Sequence, residues 1–424
     1  MTSLSLESIA NWFAIASVAA ATVQAFFALA FERLLKRTPS LILPVENYPE
    51  AAILLPLRGA DARLEETLQR LIDQDHPNYT IRVVVDNPSD PAFDVACQVS
   101  NQPQGHRLKI TTLENRRRTC GLQCSALVEA VEGLEDSVVD VATIDGDVLA
   151  HRSWLRELLA PLQDPSVGAT FGNRWFLAHR DSWGSIVRHL WNAAAIVPMW
   201  IFGIPWGGTF AIKKKWLIET GLLERWSRGM VHDAPAPGLL KEKGLQLRFI
   251  PSLMMPIGES CGLGFCQEFL KRQMLWTRLY HPDFAGVLMH ALATAGLTLL
   301  VIGLLVASIV TGHWFVAMWI LASTLAYLAI MIYLLRRIEH AVWTVVRRRD
   351  RDQCSQVKER LGLWTLLLAI PLTQIVYVGA TLWASVAHQV TWRGVRYMLQ
   401  SPFEVTLVQD DLSAPSTSGK TESL

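Results

Sequence analysis

The sequence predicts an α/β domain with a mostly parallel sheet, joined to α-helical transmembrane segments. Three observations predict it. Between residues 51 and 145, short apolar runs alternate with helical patterns, an order that lays parallel strands side by side with helices on both faces. Outside that region lie uncharged apolar stretches of bilayer-spanning length, at 9–31, 289–311 and 314–335. The chain as a whole, 424 residues, is 51% hydrophobic and only 18% charged, which is apolar and charge-poor for a water-soluble protein. Its formal charge of +1 argues against nucleic acid as the main partner.

Residues 9–31, IANWFAIASVAAATVQAFFALAF, are long enough to span a bilayer, and the leader MTSLSLES has no Lys or Arg. A retained helix is therefore expected rather than a cleaved signal. The basic flank ERLLKR (32–37) places the following residues in the cytoplasm by the positive-inside rule. Residues 1–37 thus read as an N-terminal transmembrane helix with its flank, and 38–285 as a cytoplasmic domain. Residues 286–403 read as a C-terminal membrane region of two to three spans. The stretches 289–311 and 314–335 form a hairpin interrupted only at TGH, and a basic segment (336–360) follows. Residues 361–387 are a weaker candidate because of Pro371, Gln374 and His388, and either span, break or lie at the interface. The polar, Ser- and Thr-rich residues 404–424 are expected to be a disordered tail. The six cysteines show no CxxC pair and read as reduced thiols.

Within the cytoplasmic domain the strands are AAILLPL (51–57), TIRVVVD (80–86), RLKITTL (107–113) and VVDVATID (138–145). Helices fit at 62–74, where Leu64, Leu68, Leu71 and Ile72 form one stripe, and at 92–101 and 122–133. Ligands of such sheets bind beyond the strands' carboxyl ends. Asp86 stands at one such end, and Asp145 and Asp147, in TIDGDV (143–148), stand at another. Two carboxylates one residue apart suit a hard divalent cation, Mn2+ or Mg2+, which can hold phosphate oxygens and stabilise charge on a diphosphate leaving group. The same dipeptide spacing is also common in plain acidic turns, so its position after a buried strand matters more than the motif.

The stretch PLRGADARLEETLQRLIDQDHPNYTIRVVVDNPSDPAFDVACQV (56–99) resembles the GT-A-fold family 2 glycosyltransferases, and among them the ceramide glucosyltransferase type. TIDGDV, WGGTFAIKKKWLIETG (206–221), VHD (231–233) and a version of the (Q/R)xxRW element at RQMLW (272–276) extend the resemblance over about 45–285. It implies a membrane-bound, inverting hexosyltransferase that moves a sugar from a nucleotide donor, UDP-glucose, to a hydroxyl of a lipid acceptor such as ceramide. It implies that Asp86 and Asn87 contact uracil and ribose, that Asp145 sits near ribose and diphosphate, and that Asp147 binds the metal. Gly207 and Gly208 would admit the acceptor, Asp233 would be the general base, and Trp276 would flank the acceptor or the diphosphate. Two other readings share these residues: a processive polysaccharide synthase, and a non-catalytic membrane subunit that kept the fold.

Four residues or segments depart from the family pattern. Leu275 replaces the Arg of (Q/R)xxRW, so one expected cationic contact to the diphosphate is missing, with Arg272 and Arg278 as possible substitutes. His232 precedes the base where an acid is usual. Pro235 and Pro237 in APAP (234–237) must delay the next helix, since proline is accepted only in a first turn. Gln123 stands where relatives tend to carry Lys, leaving Arg116, Arg117 and Arg118 as alternative basic help for phosphate. Finally, 264–283 reads as an amphipathic helix, lying on the bilayer surface or packed on the domain core.

Overall fold

The computed structural model describes residues 6–38, 40–350 and 360–410. In chain order, helix α1 (Leu6–Arg37) leads into β1 (Ala51–Leu57), α2 (Leu64–Ile72), β2 (Tyr79–Val85), α3 (Pro91–Ser100), β3 (Leu108–Thr112), α4 (Leu122–Glu132) and β4 (Asp140–Ile144). Then come α5 (Trp154–Leu159), β5 (Val167–Phe176), α6 (Trp183–Ile201), β6 (Thr209–Lys213), α7 (Lys214–Glu219), α8 (Leu222–Trp226), α9 (Ala236–Glu242), β7 (Gln246–Ile257) and α10 (Leu263–Tyr280). Three long helices follow, α11 (Phe284–Val310), α12 (Trp314–Arg349) and α13 (Leu363–Val386). Three short strands come last, β8 (Gln389–Trp392), β9 (Val395–Ser401) and β10 (Glu404–Asp410).

The main sheet has seven strands in the order β3-β2-β1-β4-β6-β5-β7. β3, β2, β1 and β4 run parallel, β6 runs antiparallel to both β4 and β5, and β7 is parallel to β5. Every residue of β1 and of β4 is buried, as expected of strands with helices on both faces; β1 is apolar throughout, while β4 also buries Asp140 and Thr143. Leu64, Leu68, Leu71 and Ile72 are the buried stripe of α2. Asp90 caps α3 by accepting the Ala92 N–H at 2.9 Å, with Pro91 at the first helical position. The APAP segment behaves as proline chemistry demands: α9 starts at Ala236, between the two prolines.

Among the described residues, four helices, α1, α11, α12 and α13, are long and apolar enough to cross a membrane. Large side chains on them face outward, among them Trp12, Phe26, Leu299, Val310 and Trp364. Exposed apolar surface on this scale marks an interaction surface, and it fits candidate membrane spans. The stretch around Pro371, weak in the sequence, is a continuous helix. α12 runs past its apolar half through the basic segment to Arg349. There Ile338, Ala341, Val342, Val345 and Val346 recur at helical spacing among the arginines and pack with Phe31, Leu35 and Trp175. Arg349 reaches Glu157 of α5 at 3.2 Å, and Asp350 pairs with Arg70 of α2. The second half of α12 is therefore seated on the α/β domain.

One expectation is corrected. The tail expected from residue 404 begins instead with a strand: Glu404–Asp410 pairs antiparallel with β9, whose other edge pairs with β8. Its alternating Val405 and Leu407 are buried, and the Leu407 N–H donates to the Arg118 carbonyl at 2.8 Å. The period-two pattern that makes this strand was masked by the polar residues after it; those, 411–424, lie outside the described residues, as does Cys354. The residues 389–403, counted by sequence with the membrane region, likewise form strands and turns. This small sheet docks on the α/β domain, with Tyr397 Oη accepting the Leu122 N–H at 3.2 Å.

Candidate active site

β4 ends at Ile144, which pairs with Thr209 of the antiparallel strand β6. The chain beyond β4 and the chain before β6 therefore emerge together, and Asp145 lies against Gly208. A Cβ on Gly208 would stand 2.5 Å from Asp145 Oδ2 and 2.2 Å from the Trp206 ring. A Cβ on Gly207 would stand 2.4 Å from the His232 ring and 3.2 Å from Asp233 Oδ2. Two glycines are thus required because side chains crowd both sides of the strand entry. Gly207 N–H donates to Asp233 Oδ2 at 2.6 Å, and Ala234 N–H donates to Oδ1 at 2.7 Å. These bonds fix the carboxylate of Asp233, which is half-buried.

Asp145 and Asp147 are both about nine-tenths buried. Burial raises the Asp145 carboxyl to about 6; Asp233 adds to that rise, while His232, Arg174 and Arg393 oppose it. Asp147 is pushed well above the usual carboxylate range by burial and by the charges of Asp145, Glu259 and Asp61. Asp147 Oδ1 is buried with no hydrogen-bond partner. Acids crowded this way favour a cation among them, and an orphaned carboxylate oxygen is a hard ligand of the kind Mn2+ or Mg2+ takes. Among the described residues no three His, Cys, Asp or Glu side chains form a ready metal cage. The residues that would hold such an ion are Asp147, through its unpartnered Oδ1, and Asp145 beside it.

Arg174 is the cation buried behind the cluster. It projects from β5, a strand buried along its whole length, and its charge acts on Asp145, Asp233 and Asp147. Burial lowers it to about 10. Its Nη2 donates to Gln273 Oε1 of α10 at 2.7 Å, and its guanidinium lies 5.1 Å from the Phe269 ring centroid. Gln273 belongs to the RQMLW element, so that element supports the site through its glutamine. Leu275 is fully buried in the core, Trp276 packs on Trp392 with ring centroids 6.3 Å apart, and Arg272 is half-buried on α10. Arg278 is committed elsewhere: it donates to the Ser385 and Ala387 carbonyls at the end of α13.

Asp86 lies at the end of β2, next to this cluster. Arg58 Nη1 donates to its Oδ2 at 3.0 Å and Arg116 Nη1 to its Oδ1 at 2.9 Å. Asn87 folds an Asx turn by accepting the Ser89 N–H, and its amide reaches Asp86 Oδ2 at 3.2 Å. A cavity lined by Arg58, Asp86, Gln123, Trp392, Arg393 and Tyr397 joins this end to the DxD, since Gln123 Nε2 donates to Asp145 Oδ1 at 3.4 Å. The three arginines expected to help phosphate hold the protein itself: Arg116 holds Asp86 and Asp410, Arg117 holds Glu132, and Arg118 holds the Leu407 carbonyl. The His232 ring is engaged by Thr143 Oγ1 at 3.1 Å and the Gly207 carbonyl at 3.3 Å, edge-on to Trp226. It supports the glycine turn.

With this geometry in place, the comparison with known families is decisive over residues 13–403, which match glycosyl transferase family 21. The chain belongs to glycosyl transferase family 21. The motif resemblance to GT-A glycosyltransferases of the ceramide glucosyltransferase type is thus met at the level of a glycosyltransferase family. No curated protein sequence matches the chain. Among solved structures it is similar to a mannosyltransferase from Pyrobaculum calidifontis in complex with GDP-Man and Mn2+. The identity is 17%, over 89% of this chain and 99% of that one, with a TM-score of 0.46. It is also similar to glucosyl-3-phosphoglycerate synthase from Mycobacterium tuberculosis in complex with Mn2+ and UDP-glucose. There the identity is 14%, over 55% of this chain and 80% of that one, with a TM-score of 0.36.

This family 21 chain has the GT-A fold, a mostly parallel seven-stranded sheet, with long apolar helices attached. Its crevice also contains residues that sequence reasoning missed: Arg58, Arg174, Arg393 and Asp410. An arginine inside an otherwise apolar strand was the available signal for Arg174. A two-residue Arg-Gly link between alternating segments was the signal for Arg393.

Proposed function

We propose that this glycosyltransferase is an inverting enzyme that transfers glucose from UDP-glucose to a hydroxyl of a lipid acceptor such as ceramide. The observation that carries the reading is the convergence of Asp145 and Asp233 on Gly208 and Gly207 at the strand ends, with the buried Asp147 in electrostatic contact with Asp145. The motif resemblance supplies the donor and acceptor classes, and the four apolar helices support a lipid one. The domain faces the cytoplasm, as the basic flank of α1 argues, and α10 holds the crevice close to the bilayer.

In this reading Asp86 and Asn87 receive the base and ribose, with Asp86 oriented by Arg58 and Arg116. Asp145 lies near ribose and diphosphate. Asp147 holds a divalent ion, Mn2+ or Mg2+, which when bound neutralises charge on the leaving diphosphate. Asp233 takes the proton of the acceptor hydroxyl; its geometry is set by the Gly207 and Ala234 N–H groups, as a general base requires. The hydroxyl oxygen attacks the anomeric carbon, and the bond from that carbon to the diphosphate oxygen breaks. The electron pair leaves with the nucleoside diphosphate, and one displacement inverts the configuration. The glycine turn lets the acceptor approach both acids, and Trp276 with Trp392 walls one side.

The test is purified protein incubated with UDP-glucose, Mn2+ or Mg2+ and a total lipid extract, with product masses read by mass spectrometry. A monoglycosylated lipid supports the proposal and names sugar and acceptor together. A ladder of long products makes the protein a polysaccharide synthase, and no transfer with nucleotide binding intact makes it a non-catalytic subunit.

A further inference from the structure

Leu275 leaves the RQMLW element without the cation expected at the diphosphate, and the structure offers another one from a distant part of the chain. β8 and β9 are joined by the two residues Arg393 and Gly394, with Trp392 paired to Val395. Both turn residues have positive φ, 46° at Arg393 and 77° at Gly394. That is the backbone of a two-residue hairpin turn in which Asn-Gly is the favoured pair. Arginine is uncommon in this conformation, which directs attention to where its side chain goes.

The turn delivers the guanidinium to the crevice. Arg393 Nη1 donates to the Arg58 carbonyl and its Nη2 approaches Asp61 Oδ2 at 3.5 Å. Its positive charge acts on both Asp145 and Asp147. It also lines the cavity beside Asp86 and Gln123. Next to it, Trp392 packs on Trp276 of the RQMLW element. The hairpin therefore places a cation between the Asp86 end and the DxD end of the crevice, beside the element that lacks its own.

We propose that Arg393, carried by the C-terminal hairpin, is a binding residue for the diphosphate of the nucleotide donor and takes the place left by Leu275. This rests on the nucleotide-sugar reading above. Guanidinium pairs with phosphate oxygens through parallel N–H bonds, which makes arginine better suited than lysine to this position.

The experiment measures binding of UDP and of uridine, with Mn2+ present, to the full-length protein and to Arg393→Asn and Arg393→Lys. Asparagine suits the turn, so the Arg393→Asn variant keeps the hairpin while removing the charge, and its melting temperature reports the loss of the contacts to the Arg58 carbonyl and Asp61 separately from binding. UDP binding is expected to fall about 10- to 100-fold in Arg393→Asn and less in Arg393→Lys, while uridine binding stays within about twofold. Equal weakening of UDP and uridine, or unchanged UDP binding in Arg393→Asn, overturns the proposal and leaves the transferase reading standing. Failure of the unaltered protein to bind UDP overturns both.

Discussion

Asp86 and Asp410, from opposite ends of the chain, are gripped by the same two arginines. Arg58 bonds Asp86 at 3.0 Å and Asp410 at 3.2 Å, while Arg116 bonds Asp86 at 2.9 Å and pairs with Asp410 as well. The second strand of the central sheet and the last strand described are thus tied across the mouth of the crevice. Two carboxylates sharing two guanidiniums balance charge, so neither arginine is drawn away from Asp86.

Removing Asp410 leaves two partly buried arginines with a single acid between them. Asp410→Ala is expected to destabilise the protein by about 1–3 kcal/mol, between the values of exposed and fully buried pairs. Thermal melting measures the first effect. UDP titration measures the second, a severalfold weaker binding, because Arg58 and Arg116 no longer hold Asp86 in one orientation.

Gly208→Ala places a methyl group 2.5 Å from Asp145 Oδ2 and 2.2 Å from the Trp206 ring. One of them must move. A displacement near 1 Å at a reacting centre costs roughly 100-fold in rate, so transfer should fall by about that factor. Steady-state kinetics checks this, with circular dichroism to show that the fold is kept.

Arg174 is the buried counter-charge of three acids. Arg174→Leu removes it and leaves the acids crowded, an expected cost of about 3–5 kcal/mol. Arg174→Lys keeps the charge, loses the fork that reaches Gln273, and should fall between the two. Chemical denaturation of the three proteins gives the order.

Stability should also depend on pH through His76, which lies outside the crevice. Its ring is buried beside Tyr48 and Tyr79 and accepts the Asn78 N–H at 3.3 Å through Nδ1. Burial lowers its pKa to about 4. The unfolded chain takes up this proton near pH 6.5, whereas the folded chain does so only near 4. Acidification through that window therefore favours unfolding, by up to about 3 kcal/mol at its lower end. His76→Phe should flatten the decline in melting temperature between pH 6.5 and 4.

The parts of this molecule legible in the sequence are those where one local pattern fixes one outcome. β1 is an uninterrupted apolar run and β4 a short β-branched one that carries Asp140 and Thr143, and Asp86, Asp145 and Asp147 follow such strands, so their place at the sheet's carboxyl edge was readable. The convergence of Asp233 with Gly207 was readable only through the motif resemblance, because an antiparallel strand and a helix turn must fold before they meet. Arg174 escaped notice because its one local signal, an arginine within a mostly apolar strand, does not by itself say which acids the cation faces. The hairpin escaped because β8 and β10 are short and adjoin, respectively, a long apolar helix and a Ser- and Thr-rich tail. The partners of Asp410 lie in loops after β1 and β3, and pairing over such distances leaves no periodic trace.

The central claim is that the crevice holds a nucleoside diphosphate through a divalent ion at Asp147. Calorimetric titration of UDP into the full-length protein, with Mn2+ and with chelator, beside Asp147→Asn, tests it most directly. The account predicts binding that needs Mn2+ in the unaltered protein and is lost or weakened at least about 10-fold in Asp147→Asn. Binding of UDP that is equally tight with chelator and in Asp147→Asn would contradict it.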